Sequence, residues 1–344
     1  MPAIKEILGS DADLFCLYYD VTDGGNWEGN SILCNNLNIS TVGFNFGIPE
    51  KKVREILKLC SEKLLKVRSM RIPPGLDDKI LVSWNSLMIT AFAKGYRVTA
   101  DSRYLDAAKA CISLIENKLF EGGKLLRTYK NGTAKIDGYL EDYSYFTNAL
   151  LDVFEIEPES KYLKLALKLG HHLVEHFWDS ENNSFFMTSD EHEKLIIRPK
   201  SNYDLSLPSG NSVSAFVMLR LYHLSQEQNF LEIVTKILES QAQMAAENPF
   251  GFGYLLNTLS IYLQKPVEIT IINTENSEIC KSLLTNYLPN SFIVTVQSST
   301  QLENLSEYPF FTGKIFGDKT SVFVCKDFSC SLPLHTIDEI NSHL

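Results

Sequence analysis

Three strings in the chain hold residue types that could do chemistry together. The first is Asp77-Asp78-Lys79-Ile80-Leu81-Val82-Ser83-Trp84-Asn85, an acidic pair followed by an indole and an amide. Pro73-Pro74-Gly75 just before it cannot be helical, so the acids fall where a helix starts. Aspartates there cap free backbone N–H groups and suit the positive end of the helix dipole. Asn85 shares a helical face with Leu81, Met88 and Phe92, which turns its amide toward the interior or an enclosed cavity. A buried amide must find partners. Beside Trp84 those are either the hydroxyls of a sugar or merely a backbone group.

The second string, Gly138-Tyr139-Leu140-Glu141-Asp142-Tyr143, opens a helix with two stripes. Leu140, Tyr143, Thr147, Leu150 and Phe154 make one; Glu141, Tyr145, Asn148 and Asp152 make the other. A solvent face usually carries lysine, and this one has none. An inner helix of an α/α toroid, with one face lining a wet lumen, has this character. Glu141 and Asp142 are the acid–base candidates. Each residue turns about 100° on a helix, so the two carboxylates do not form a close pair. Neutralising the helix dipole is the competing explanation.

The third string is Leu207-Pro208-Ser209-Gly210-Asn211-Ser212. Ser209 is a good N-cap, and Gly210 lets another group approach the backbone. Ser209, Asn211 and the free N–H groups of that turn could bind an oxygen-rich ligand. Turn-and-cap chemistry alone also accounts for the string. His172 and His176, at i and i+4, could hold a metal, but no glutamate follows the first histidine as in HExxH, so none is expected. The spacing of Cys325 and Cys330 fits neither a CxxC motif nor a zinc knuckle, and both are expected to be reduced and metal-free. No phosphate-binding glycine loop and no GxSxG is present, and no cofactor is expected.

The elements that must position these strings are mainly helical. From Glu50 the apolar residues Val53, Ile56, Leu57, Cys60, Leu64 and Val67 follow helical spacing. Further helices are expected at 80–99, 101–119, 138–156, 159–177, 207–226, 228–247 and 250–264. Short links alternate with longer turn-rich excursions, Glu121–Asp137 and Trp178–Leu207, as in a succession of helical hairpins. That succession marks an α/α toroid or a helical solenoid. Residues 1–49 read as irregular, with one short helix over Ile4–Leu8 and a turn-rich segment from Asp20 to Gly29. After Lys265-Pro266 the β-branched run Val267–Ile272, a helical stretch Ser277–Tyr287 and a second run Phe292–Val296 read as a βαβ unit. Ser321–Cys325 supplies a third strand. The expected domains are 1–265, a partial toroid, and 266–344, a small α/β domain with a parallel sheet.

The chain has 344 residues, 44% of them hydrophobic, a net charge of −10 and seven scattered cysteines. The acidic balance disfavours nucleic acid and anionic membranes, because phosphate contacts need clustered lysine and arginine. No apolar run approaches the ~20 residues of a membrane span, and the N-terminus lacks a secretory pattern. An odd number of cysteines fits reduced thiols, hence a cytoplasmic location.

Five strings in order, Asp20–Leu33 (DVTDGGNWEGNSIL), Asp77–Asn85, Gly138–Tyr143, Pro208–Asn211 and Val324–Cys330, resemble the spermatogenesis-associated, thioredoxin-domain-containing family. The resemblance implies an (α/α)6 toroid of the six-hairpin glycosidase type, similar to N-acylglucosamine 2-epimerase and cellobiose epimerase, and a role in carbohydrate metabolism. It also implies a thioredoxin-like domain and leading hairpins that this sequence lacks, so the chain resembles the C-terminal part of a member. The expected function is sugar binding in the lumen, with glycoside-processing or sugar-isomerising chemistry. Glu141 and Asp142 would be catalytic there, and Trp84, Asn85, Ser209 and Asn211 substrate-binding. The alternative is a non-catalytic scaffold or interaction module. A convergence of Trp84, Asn85, Glu141 and Asn211 on one lumen would favour the enzyme over the scaffold. A ring short of hairpins exposes apolar faces, to be covered by self-association or a partner chain. Light scattering is therefore expected to find a dimer or aggregates; a monomer at high concentration would count against the partial ring.

Overall fold

The computed structural model describes residues 1–194, 196–273 and 277–344. It divides into two compact units, Met1–Asp77 and Asp78–Leu344. In the first, α1 (Pro2–Leu8), α2 (Ala12–Tyr18), α3 (Ile39–Phe46) and α4 (Glu50–Ser69) enclose Phe15, Val42, Val53 and Leu57. Residues 1–49 are thus more ordered than their pattern suggests, because these helices are too short to display a period. The Asn38 side chain caps α3 by accepting from the Thr41 N–H (2.8 Å), and Gly47 ends it in the left-handed region at φ 64°. The turn-rich segment is organised by Asn26, whose amide donates to the Ile32 carbonyl (2.8 Å) and accepts from its N–H (2.7 Å).

The second unit opens with β1 (Ile80–Leu81), which runs into α5 (Val82–Thr99); α6 (Ser102–Lys118) completes a hairpin. Strands β2 (Phe120–Glu121), β3 (Lys124–Lys130) and β4 (Thr133–Asp137) form the first long excursion. Asn131 and Gly132, at φ 51° and 79°, make the tight β3–β4 turn, as an Asn-Gly pair favours. The pairs α7 (Leu140–Ile156) with α8 (Ser160–His176), and α9 (Gly210–Ser225) with α10 (Gln228–Glu247), are separated by β5 (Trp178–Asp179) and β6 (Ser184–Phe185). The series closes with α11 (Gly253–Gln264). All eight helices expected between Glu50 and Gln264 form, within a few residues of their expected ends.

Helices α5, α7, α9 and α11 pack side by side as an inner layer, with α6, α8 and α10 outside, in the hairpin order of a partial (α/α)6 toroid. The pivot is α7, buried along nearly its whole length and packed against α5, α8 and α9. Gly170 permits a close approach on the outer side: a Cβ there would lie 2.4 Å from Leu221 Cδ1 of α9 and 3.5 Å from the Phe230 ring of α10.

The chain then enters β7 (Val267–Ile272), α12 (Ser277–Thr285) and β8 (Ser291–Val296), a parallel βαβ unit as expected. The expectation of a wholly parallel sheet fails at the third strand. After α13 (Ser299–Leu305), β9 (Ser321–Lys326) pairs antiparallel with β7, Ser321 opposite Ile272. The segment after β8 never crosses back to the start of the sheet, so β9 begins where β7 ends and runs the other way. Strand β10 (Ser329–Cys330) folds back on β9, and α14 (Ile337–Asn341) closes the chain.

Both faces of this sheet are covered, which explains the continuous β-branched runs. Val294, Val296 and Phe323 share the core of the helices, whereas Ile269, Ile271 and Ile293 pack with Ile279, Leu283 and Ile340. The Thr295 hydroxyl donates to the Ile156 carbonyl at the end of α7 (2.7 Å), and buried His223 of α9 bonds Glu268 of β7 (2.6 Å). The change of texture at residue 265 therefore lies inside the second unit.

Cys325 and Cys330 are joined in a disulfide, contrary to the expected free thiols. A spacing unsuited to CxxC is the spacing of cross-strand partners around a two-residue turn. Asp327 and Phe328, at φ 50° and 59°, make that turn, Lys326 faces Ser329, and Cys325 faces Cys330.

Gly170→Ala tests the packing. Alanine favours a helix by about 1 kcal/mol over glycine, but forcing a methyl into a filled contact costs about 1–3 kcal/mol. Urea unfolding should show a lower midpoint; a raised one would mean that α8 does not approach α9 this closely.

Candidate functional site

The inner helices all begin at one end of the second unit, so their positive dipole ends converge on a single rim. Two carboxylates are each shared by a neighbouring pair. Asp142 Oδ1 accepts from the Ser83 N–H at the start of α5 (3.0 Å), and its Oδ2 from the Tyr139 N–H before α7 (2.9 Å). Asp204 repeats the arrangement, accepting from the N–H groups of Ser209 before α9 (2.7 Å) and Tyr254 in α11 (2.8 Å). Asp142 is fully buried and also meets Arg127 Nη1 at 2.9 Å. Burial pushes its carboxyl above the usual range, and Arg127 pulls the other way.

Glu141, next in sequence, differs. Its side chain keeps 33% of its exposure and pairs with the same Arg127 Nη1 at 2.8 Å. It borders a cleft of about 300 Å³ whose walls include Tyr139, Tyr145, Tyr203 and Ser209. The Arg127 guanidinium lies over the Tyr139 ring, 4.7 Å from its centroid. Tyr145 donates its hydroxyl to the Pro208 carbonyl, and burial drives its pKa upward, so it serves as a wall and a tether rather than a proton carrier. Glu141 is then the carboxylate that borders this cleft.

Behind the rim the polar stripe of α7 is not an open, wet face. Arg220 of α9, only 3% exposed, fills it. Its Nη1 donates to Asn148 Oδ1 and Asp152 Oδ1 (both 2.8 Å), and its Nη2 to Glu155 Oε1 (2.8 Å). The Thr90 hydroxyl of α5 donates to Asp152 Oδ2 (2.6 Å), and Arg97 stands 3.5 Å from Glu155. Sequence reasoning missed Arg220. The signal was present, because it is a lone cation among Val213–Leu224 and its complement is the lysine-free acidic stripe of α7.

The expected substrate-binding residues do not converge. Trp84 is 62% exposed and outside the cleft. The Asn85 amide donates to the Leu81 carbonyl one turn back (2.8 Å) and accepts weakly from Cys111 Sγ (3.7 Å), so the backbone partner prevails over a sugar. Asn211 is fully buried and clamps β6, accepting from the Phe185 N–H (2.6 Å) and donating to the Phe185 and Ser201 carbonyls (both 3.0 Å). Ser209 reaches the cleft wall, but its hydroxyl caps α9 through the Ser212 N–H (3.0 Å). The room left by Gly210 is filled on its Cβ side by Leu140, whose Cγ would lie 2.8 Å from a Cβ. Asp142, tied up by three donors, is structural.

The hairpin order and the rim define the class as a partial (α/α)6 toroid. No family model matches the sequence. The human protein named spermatogenesis-associated protein 20 is 26% identical over 94% of this chain and 45% of its own length. The rat protein of that name is 27% identical over 90% of this chain and 41% of its own. The resemblance to the spermatogenesis-associated family thus extends along nearly the whole chain, which spans about half the length of the curated relatives it matches. Among solved structures, a family GH76 α-mannanase from Bacteroides thetaiotaomicron aligns with a TM-score of 0.46 at 10% identity, covering 82% of each chain. Cellobiose 2-epimerase from Bacillus thermoamylovorans aligns at 0.41 and 15% identity, over 49% of this chain and 46% of the other. Among the described residues no helix is long and apolar enough to cross a membrane.

Two comparisons of variants follow from the geometry. Asp142→Asn weakens a buried, triply bonded charge and should cost roughly 3 kcal/mol, whereas Glu141→Gln, part-exposed with one partner, should cost less than about 1 kcal/mol. Thermal melts giving the reverse order would contradict the rim. Arg220→Met removes the cation that Asp152 and Glu155 share, leaving Glu155 only its longer contact to Arg97, and should cost about 3–5 kcal/mol near neutral pH. Burial already pushes Glu155 upward. An orphaned acid whose folded pKa lies above its unfolded value destabilises increasingly as pH rises through that interval. The deficit of Arg220→Met against the wild-type chain should therefore shrink in mildly acidic buffer. A pH-independent deficit would mean that the network is not ionic.

Proposed function

We propose that the cleft bordered by Glu141 binds a sugar or a similar polyhydroxylated ligand, and that Glu141 moves a proton on it. One observation carries this reading. At a rim where Asp142 and Asp204 are both committed to helix ends, Glu141 faces a lined cavity with Arg127 holding its orientation. Tyrosine rings supply stacking surface, and the contact with Arg127 fixes where the Glu141 carboxylate points. Two-carboxylate hydrolysis needs an acid and a base about 5–9.5 Å apart. With Asp142 sequestered, one carboxylate suits the single-face proton shuttle of a sugar isomerase beside a carbonyl better than glycoside cleavage or epimerisation, each of which needs two groups.

A second reading is favoured by a specific observation. Trp84, Asn85, Glu141 and Asn211 point to separate places, while Trp84 and Met88 stay exposed on α5. That arrangement suits a scaffold or interaction module in which the indole meets another protein.

A thermal-shift screen of mono- and disaccharides separates the two. A ligand at 100 times its Kd stabilises the fold by about 2.7 kcal/mol. Glu141→Gln should retain that shift, in full or in part, and lose turnover of the same sugar by about 10²–10⁴-fold, the usual contribution of a general acid–base group. If no sugar raises the melting temperature, the scaffold reading stands; if turnover persists in Glu141→Gln, Glu141 is not the proton carrier and the catalytic reading of this cleft falls.

A further inference from the structure

Away from the rim, the last turn of α8 and the loop after β6 bring together three side chains of metal-binding type. His172 and His176 lie one helical turn apart, with ring centroids 4.4 Å from each other. Glu191 joins them, and one ligand atom from each of the three lies within 4.8 Å of the others. Ligands at zinc distances of roughly 2.0–2.2 Å stand about 3.4 Å apart in a tetrahedron, so small side-chain rotations close the set. We propose that His172, His176 and Glu191 form a binding site for a divalent transition metal of the zinc class.

The surroundings are built as such a site requires. Asp190 Oδ1 lies 2.9 Å from His176 Nδ1, the outer carboxylate–histidine contact that keeps the proton on Nδ1 and the lone pair on Nε2. The same loop is tied to the end of α8, because the Asp190 N–H (3.0 Å) and Arg198 Nη2 (3.1 Å) both donate to the His176 carbonyl. Glu191 is therefore delivered by an anchored backbone.

His172 is held from its face instead, stacked on Tyr143 with centroids 4.6 Å apart and planes 16° from parallel. Among the described residues no hydrogen bond reaches either nitrogen of its ring. Glu191 now meets Lys124 Nζ at 3.2 Å, a surface contact that a divalent ion would displace. Glu175 Oε2 lies 3.7 Å from His176 Nε2, and water would complete the coordination of the ion. Two imidazoles with carboxylates and no thiolate select zinc, cobalt, nickel or copper over magnesium or calcium. The ion would staple the loop to α8; it lies apart from the Glu141 cleft, so the proposal is independent of the sugar reading.

Titration of the full chain with Co²⁺, and with Zn²⁺ in competition, tests it. One tight equivalent is expected, giving the visible bands of low-coordinate cobalt without a sulfur-to-cobalt charge-transfer band, and Zn²⁺ should abolish them. Asp190→Asn should weaken binding by about 10–100-fold, and Glu191→Gln by at least as much. Both residues are on the surface, so both variants should keep the wild-type circular dichroism; they decide the matter even if His172→Gln or His176→Gln fails to fold. Absence of bands, a sulfur signature, or affinity unchanged in Glu191→Gln would overturn the site.

Discussion

A guanidinium taken out of water must be met by charge and hydrogen bonds, and the inner layer of this protein is arranged around one such demand. Arg220 projects from α9 into the seam with α7, where Asn148, Asp152 and Glu155 receive it at successive turns. The acids would not tolerate burial without the arginine, nor the arginine without the acids. Thr90 and Arg97 extend the same set to α5, so three inner helices are keyed in register by one polar cluster. Apolar packing alone would fix the register of α7 less firmly, because it lacks the directionality of these hydrogen bonds.

The rim obeys a related constraint. Parallel helices set like dipole ends beside one another, and the repulsion is relieved by a carboxylate at each of two seams, Asp142 between α5 and α7 and Asp204 between α9 and α11. The same geometry that uses up Asp142 leaves its neighbour Glu141 turned about a third of a helical turn away, toward the cleft. Structure and candidate chemistry are thus divided between adjacent acids by helical periodicity.

Much of this was legible in the sequence. Helical spacing located the eight long helices, and the β-branched runs located the parallel pair β7–β8, because both patterns report burial directly. The capping role of Ser209 followed from local geometry, whereas Glu141 and Asp142, expected to stand apart, meet on one Arg127 nitrogen. What stayed hidden depends on partners distant in the chain. Asn211 looks like a ligand contact until β6 is seen beside it, and Arg220 has no evident role until α7 is. The direction of β9 depends on which end of the sheet the chain returns to, which periodicity cannot register. The Cys325–Cys330 pair was hidden for a different reason: its spacing was compared with metal and redox motifs rather than with a hairpin turn.

The bond from Thr295 to the Ile156 carbonyl joins positions 139 residues apart. It gives the tail end of α7, the central helix, a partner that a ribosome makes only much later. At 5–20 residues per second that interval is roughly 7–30 seconds. During it the nascent helical layer holds an unfinished carbonyl terminus and an apolar face awaiting Val294, Val296 and Phe323. The C-terminal sheet is in this sense the closing step of biosynthesis, and a chain released before it is made would carry a sticky, half-built ring.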